Sequence, residues 1–194
     1  EDCRRVEIPY EEQHLAALYV PARGVPGPAP ILVQVNGLDS TKEMLYRVGL
    51  PAWLAARGVS SLMVDQPGTG EALRLFGLTA RYDSEHWASR IVDWLETRDD
   101  VDPTRIGLQG VSLGGYFCPR AVAFEPRFAC GVAWGANHDW RDVQTKIRTA
   151  PHVLATAPYV QGPVILAFGD RRATPIIRGI DPELEEGVTK LKNA

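Results

Sequence analysis

Cysteine is scarce in this chain, with Cys3, Cys118 and Cys130 the only three in 194 residues. Three thiols cannot all pair, and no Cys-x-x-Cys spacing suggests structural zinc or thiol redox chemistry. All three are expected to be packing residues, since free cysteine is among the most buried residue types. No apolar run approaches the ~20 residues of a membrane span. The opening Glu-Asp-Cys-Arg-Arg also lacks the apolar stretch of a secretory leader. The expectations that follow are a cytoplasmic location and no membrane partner. Charge of one sign is not concentrated either. The 24 acidic and 21 basic side chains leave a net charge of -3, with no long run of either sign. Nothing here would draw in a phosphate backbone, so no nucleic-acid partner is expected.

What is present is ordinary globular composition. Hydrophobic residues make up 45% and charged residues 23%, far from the low-hydrophobicity, high-charge signature of disorder. The length suits one domain with a large core, so residues 1–194 are expected to form a single unit. Residues 4–9 and 14–20 alternate in polarity around Glu11-Glu12-Gln13, the pattern of an antiparallel hairpin at a sheet edge. A β-branched run follows at 31–35, then a helical pattern over 42–57, a strand at 61–65 and the breaker Pro67-Gly68-Thr69-Gly70. Trp87, Ile91, Trp94 and Leu95 recur at helical spacing within 84–97, predicting an amphipathic crossover helix. Strands are predicted at 105–109, 128–134 and 163–168, with helices at 113–124 and 182–191. Strands alternating with crossover helices predict an α/β fold. Its sheet is doubly wound and mostly parallel, preceded by the antiparallel hairpin, and its chemistry lies at the carboxyl ends of the strands.

One motif carries that chemistry: Gly110-Val111-Ser112-Leu113-Gly114 lies between a predicted strand and a predicted helix. A serine hydroxyl is a poor nucleophile unless it is exposed, oriented and deprotonated by a neighbour. The sharp strand-to-helix turn of Gly-x-Ser-x-Gly meets the first two needs. Side chains at Gly110 or Gly114 would collide with the turn, and the following helix aims its N-terminal amides at developing negative charge. Gly110 to Gly115 also has P-loop spacing, but Tyr116 and Phe117 stand where the phosphate-binding lysine and the magnesium-binding hydroxyl belong. The first parallel strand opens into Asn36-Gly37-Leu38-Asp39 rather than a dinucleotide fingerprint. Acyl transfer needs two oxyanion donors, and the amides of Leu113 and Leu38 occupy the usual places, each such donor being worth a factor of ~100 to 1,000. The simpler alternative is that Asn36-Gly37 only makes a turn.

Several stretches together resemble α/β-hydrolases of the dihydropseudooxynicotine hydrolase and fungal yellowish-green pigment polyketide-shortening group, related to dienelactone hydrolases. They are residues 36–43 (Asn-Gly-Leu-Asp-Ser-Thr-Lys-Glu), 65–71 (Asp-Gln-Pro-Gly-Thr-Gly-Glu), 110–116, Arg120 and 123–127. The resemblance covers about residues 30–141. It implies hydrolysis of an ester, or of a carbon–carbon bond next to a ketone, with no metal or organic cofactor. It also implies a helical segment ahead of the core that covers the site. This chain begins almost at its first core strand, so that lid is expected to be absent and the pocket open.

In such folds the triad runs serine, then an acid, then a histidine near the C-terminus. Asp170, after the 163–168 strand, stands in the place of the acid. It follows its glycine directly, however, whereas the family pattern is Gly-x-x-Asp, and a turn-capping surface aspartate is an equal alternative. The histidines are His14, His86, His138 and His152, none of them after Phe168. The sequence reaches Ala194 where a last strand and the histidine loop are expected. His138 follows the 128–134 strand and is the candidate base within the chain, with pocket lining or pairing to Asp139 or Asp142 as the alternative. Trp134, His138, Trp140, Tyr116 and Phe117 are candidates for an apolar pocket, with core packing the commoner role for aromatic residues at such positions.

Two functions fit. In the first, Ser112 attacks the carbonyl of a small-molecule ester, lactone or activated ketone, Leu38 and Leu113 hold the oxyanion, and His138 or a histidine outside this sequence moves the proton. In the second, a truncated or degenerate core binds a ligand or partner with little turnover. An exposed last parallel strand would then invite pairing with another copy as a homodimer, or aggregation.

Overall fold

The computed structural model describes residues 3–136, Thr149 and Pro151, together with the backbone of four short strands between 159 and 180. Residues 1–138 and 139–194 form separate compact units.

In the first unit, the polar turn Glu11-Glu12 joins strands β1 (Arg4–Tyr10) and β2 (Gln13–Val20), which pair antiparallel from Arg4↔Tyr19 to Tyr10↔Gln13. The parallel strands are β3 (Ala29–Val35), β4 (Ser60–Val64), β5 (Val101–Val111) and β6 (Phe128–Trp134). The sheet order is β1-β2-β4-β3-β5-β6, with β2 antiparallel to β4 and every later pairing parallel. This is the expected mostly parallel sheet with its antiparallel hairpin at one edge. The registers Val35↔Val64, Val35↔Gly110 and Val111↔Trp134 bring the carboxyl ends of β3 to β6 to a common edge.

Strand alternation divides the core between two faces. Ile31, Val33 and Val35 of β3 and Ile106 and Leu108 of β5 join the larger cluster with Trp87, Ile91 and Leu95 of α4 (Glu85–Glu96) and Phe117, Cys118 and Ala121 of α5 (Leu113–Phe124). Trp87 packs edge-on against Phe117 with ring centroids 6.2 Å apart. Each such fully buried large side chain stabilises by roughly 1.5–3 kcal/mol. The other face carries Val20, Leu45, Ala55 and Met63, under α1 (Lys42–Arg47) and α2 (Leu50–Ala55).

The one helix expected over 42–57 is two. Gly49, at φ +84, leaves helical space between α1 and α2, and Pro51 follows Leu50 in the first turn of the second, where a missing N–H costs nothing. A short helix, α3 (Gly70–Arg74), starts at the last residue of the breaker 67–70.

In the second unit, the strand expected over 163–168 is not one parallel strand. The structure has β7 (Tyr159–Pro163) antiparallel to β10 (Ile176–Ile180), and β8 (Leu166–Phe168) antiparallel to β9 (Arg171–Ala173). The physical reason is local: Phe168 pairs directly with Arg171 across Gly-Asp, a dipeptide suited to a tight hairpin. The helix expected over 182–191 lies outside the described residues. Among the described residues no helix is long and apolar enough to cross a membrane.

Candidate active site

β5 runs into α5 through a single residue, Ser112, held at φ +54 and ψ −111. A non-glycine residue in that region costs on the order of 1–3 kcal/mol and persists only where its surroundings over-determine it. Here they do. The Ser112 amide donates to Trp134 O at 2.8 Å, extending the β5–β6 ladder by one residue, and Ser112 O accepts from the Tyr116 amide at 3.0 Å, starting the helix. The flanking glycines make room. A Cβ on Gly110 would lie 2.0 Å from Gly114 O, and one on Gly114 would lie 2.6 Å from Val35 O. Leu113 is the first helical residue, so its amide has no intrahelical acceptor.

The loop after β3 is packed against this elbow. A Cβ on Gly37 would come within 3.4 Å of Ser112 Cβ and 3.9 Å of its Oγ. The Ser40 amide donates to Gly37 O at 3.2 Å, so the chain turns at Leu38, whose side chain is largely exposed. The site thus joins the ends of β3 and β5.

A buried polar network that the sequence does not announce lies behind the loop. Asp65, fully buried at the end of β4, accepts from Asn36 Nδ2 at 2.7 Å, the Lys42 amide at 2.8 Å, Lys42 Nζ at 2.9 Å and the Glu71 amide at 3.0 Å. Gln66 completes it, taking the Asn36 amide on Oε1 at 2.9 Å and donating Nε2 to Asn36 O at 2.8 Å. Lys42 Nζ also pairs with Glu71 and, at 2.9 Å, with Glu43. Burial works against the Lys42 charge, but hydrogen bonds to Glu71, Glu43 and Asp65 outweigh it and hold the ammonium above its ordinary range. The Lys42 hydrogen bond in turn pulls the Glu71 carboxyl below its usual value. At Gly70 a Cβ would fall 2.1 Å from the Asp65 carboxyl carbon, so only glycine lets the start of α3 sit on this carboxylate. The sequence signal was the position of Asp65, immediately after a strand whose five residues are all buried.

The other expected site residues fall differently. His138 and Asp170 lie outside the described residues, as do His152 and Trp140. His14 is 3.4 Å from Glu7 and packs on Phe76, while His86 bonds Tyr10 Oη at 3.1 Å. Neither imidazole is bonded to Ser112. Tyr116 and Trp134 are exposed at the elbow, but Phe117 is buried against Trp87 and belongs to the core rather than a pocket. Cys118 is buried as expected, whereas Cys3 is only partly so and Cys130 is exposed on β6, whose residues 129–134 are all open among the described residues. Arg120 and Arg127, part of the resemblance, serve the scaffold. Arg120 forks onto Glu85 at 2.6 and 2.7 Å, and Arg127 onto Glu125 at 2.7 and 2.8 Å.

A model of the prolyl oligopeptidase family matches residues 47–157, more than half of the chain. The chain belongs to the prolyl oligopeptidase family. Its sequence is 39% identical over 156 residues to hydrolase acrC of Aspergillus aculeatus, covering 72% of this chain and 36% of that protein. 2,6-Dihydropseudooxynicotine hydrolase of Paenarthrobacter nicotinovorans is 32% identical over 132 residues, covering 67% of this chain and 35% of that protein. The crystal structure of the 2,6-dihydroxy-pseudo-oxynicotine hydrolase matches the fold with a TM-score of 0.63 at 27% identity, over 78% of this chain and 44% of that one. This member of the prolyl oligopeptidase family therefore spans about a third of the length of the curated relatives it matches. The expected α/β-hydrolase fold and the resemblance to the dihydropseudooxynicotine hydrolase group are both borne out.

Proposed function

We propose that this family member is a serine hydrolase in which Ser112 attacks a carbonyl and the amides of Leu38 and Leu113 hold the resulting oxyanion. The observation that carries the reading is the strained Ser112 turn packed against the Gly37 loop, at the shared edge of β3 and β5. Strain of this kind clusters where chemistry is done, and backbone amides aimed at the reacting carbonyl would stabilise a tetrahedral oxyanion. The substrate class is a small-molecule ester or lactone, or a ketone cleaved at the adjacent carbon–carbon bond. Asp170 and His138 are the proposed acid and base, with His138 taking the Ser112 proton and returning it to the leaving group.

A fluorophosphonate probe with mass spectrometry of the adduct tests this. Labelling at Ser112 that disappears in Ser112→Ala is the expected outcome, and His138→Ala should slow it at least tenfold, a loss of the order that general-base catalysis supplies, ~100-fold or more. Labelling unaffected by His138→Ala moves the base elsewhere. No labelling above the Ser112→Ala background overturns the enzyme reading and leaves a binding core.

A further inference from the structure

We infer that Asp65 is a positioning residue for the oxyanion loop, acting through Asn36 and Lys42 on the Leu38 amide. This rests on the serine hydrolase reading above. Asn36 and Lys42 bracket the five residues 37–41, and one carboxylate holds both brackets. Asp65 Oδ1 accepts Asn36 Nδ2 at 2.7 Å and the Lys42 amide at 2.8 Å, so a single oxygen ties the loop's entry to its exit. Its other oxygen takes Lys42 Nζ at 2.9 Å and the Glu71 amide at 3.0 Å. Four donors on two oxygens fill the acceptor capacity of a carboxylate. With both ends fixed and Ser40 closing the turn on Gly37 O, the loop cannot retreat from Ser112 without breaking a charge-assisted hydrogen bond in a site that water does not reach.

The chemistry gives that rigidity a use. An oxyanion donor is effective only when it is aimed beforehand at where charge will develop, and a displacement of about 1 Å costs on the order of 100-fold in rate. Asp65 itself is fully buried behind the loop and has no route to substrate. Its influence is on geometry alone. In Asp65→Asn the amide nitrogen can accept nothing, so the donors on one side of the carboxylate lose their acceptor and the Lys42 ammonium loses a counter-charge, while the side-chain shape is kept.

The test uses the rate constant of phosphonylation per reactive Ser112, read separately from the fraction of protein that reacts, together with kcat and KM on 4-nitrophenyl acetate. A purely structural residue changes the fraction and the melting temperature; a positioning residue changes the rate constant of the molecules that are folded. Asp65→Asn is expected to lower the per-site rate and kcat roughly 10- to 100-fold, with KM changed less than about threefold. Arg127→Leu, which breaks a cluster remote from the loop, is expected to lower the melting temperature and leave the per-site rate within about twofold. Should Asp65→Asn not fold, Asn36→Ala carries the test, since it removes one donor and leaves the buried ion pair in place; a fall of roughly fivefold or more is expected. Wild-type per-site rates in whichever of these variants folds would overturn the inference, as would an equal loss in Arg127→Leu. A wild type that does not label at Ser112 fails earlier, at the hydrolase reading, and removes this inference with it.

Discussion

Two ionic clusters stand at opposite edges of the same sheet. One gathers on Asp65, just past the carboxyl end of β4; the other gathers on Arg127, just before the amino end of β6. Both join several elements, yet they are built differently. Asp65 and Lys42 are almost completely buried, and every partner belongs to the loop, α1 or α3. Arg127 is about one-third exposed and reaches Glu125, Asp93 and Glu96, two of which face water. Charges removed from water are expensive unless fully paired, so a buried cluster tolerates one geometry only, whereas a wet one tolerates several. Precision is found at the strand ends beside the Ser112 turn, and mere stapling at the other edge.

The comparison breaks most severely at the elbow itself. Gly110→Ala puts a methyl group 2.0 Å from Gly114 O, a backbone atom that cannot move without unwinding the turn. A stability loss above about 4 kcal/mol, or failure to accumulate as folded protein, is expected on urea titration. The next largest effect sharpens the contrast between the clusters. Lys42→Met keeps the aliphatic stem but leaves Asp65 buried without its cation, and about 3 kcal/mol should be lost, against about 2 kcal/mol for Arg127→Leu, which takes the cation from the Glu125 carboxylate. Equal losses would erase the distinction between a buried and a wet cluster.

The smallest effect is set by pH. Arg127 holds the Glu125 carboxyl down at about 2, from a usual 4.5, chiefly through its hydrogen bonds. A depressed carboxylate stabilises the fold fully above its unfolded value, and that contribution is lost as pH falls through the folded one. The wild type should therefore lose about 2 kcal/mol between pH 4.5 and 2 by this route. Arg127→Leu should show a shallower acid dependence in the same window, measured as melting temperature against pH.

Much of the fold was legible because its signals are local. The hairpin at β1 and β2, the α4 stripe of Trp87, Ile91 and Leu95, and the bounds of α5 and β6 follow from periodicity and turn residues that act within a few positions. The Ser112 turn was legible for the same reason: two glycines two residues to either side leave a strand-to-helix turn little alternative. The division of the 42–57 segment required weighing Gly49 and Pro51 together against a good helical stripe. The strand expected over 163–168 failed because an apolar run records burial but not partner, and the Gly-Asp hairpin signal after Phe168 outweighed it locally. Phe117 was assigned to a pocket because its neighbour in sequence is at the site, while its side chain turns into the core against Trp87.

By itself, then, the sequence determined the order of elements, the parallel sheet with its antiparallel hairpin, and the serine on its sharp turn. These depend on spacing along the chain. Only the tertiary structure decided that Asn36, Lys42, Asp65, Gln66 and Glu71 form one buried network behind the loop beside Ser112. Its members come from two crossovers, and a hydrogen bond between residues 29 positions apart, as between Asn36 and Asp65, leaves no periodicity to read. What joins them is the alignment of the carboxyl ends of β3 and β4, and the need of each buried donor and acceptor for a partner once water is gone.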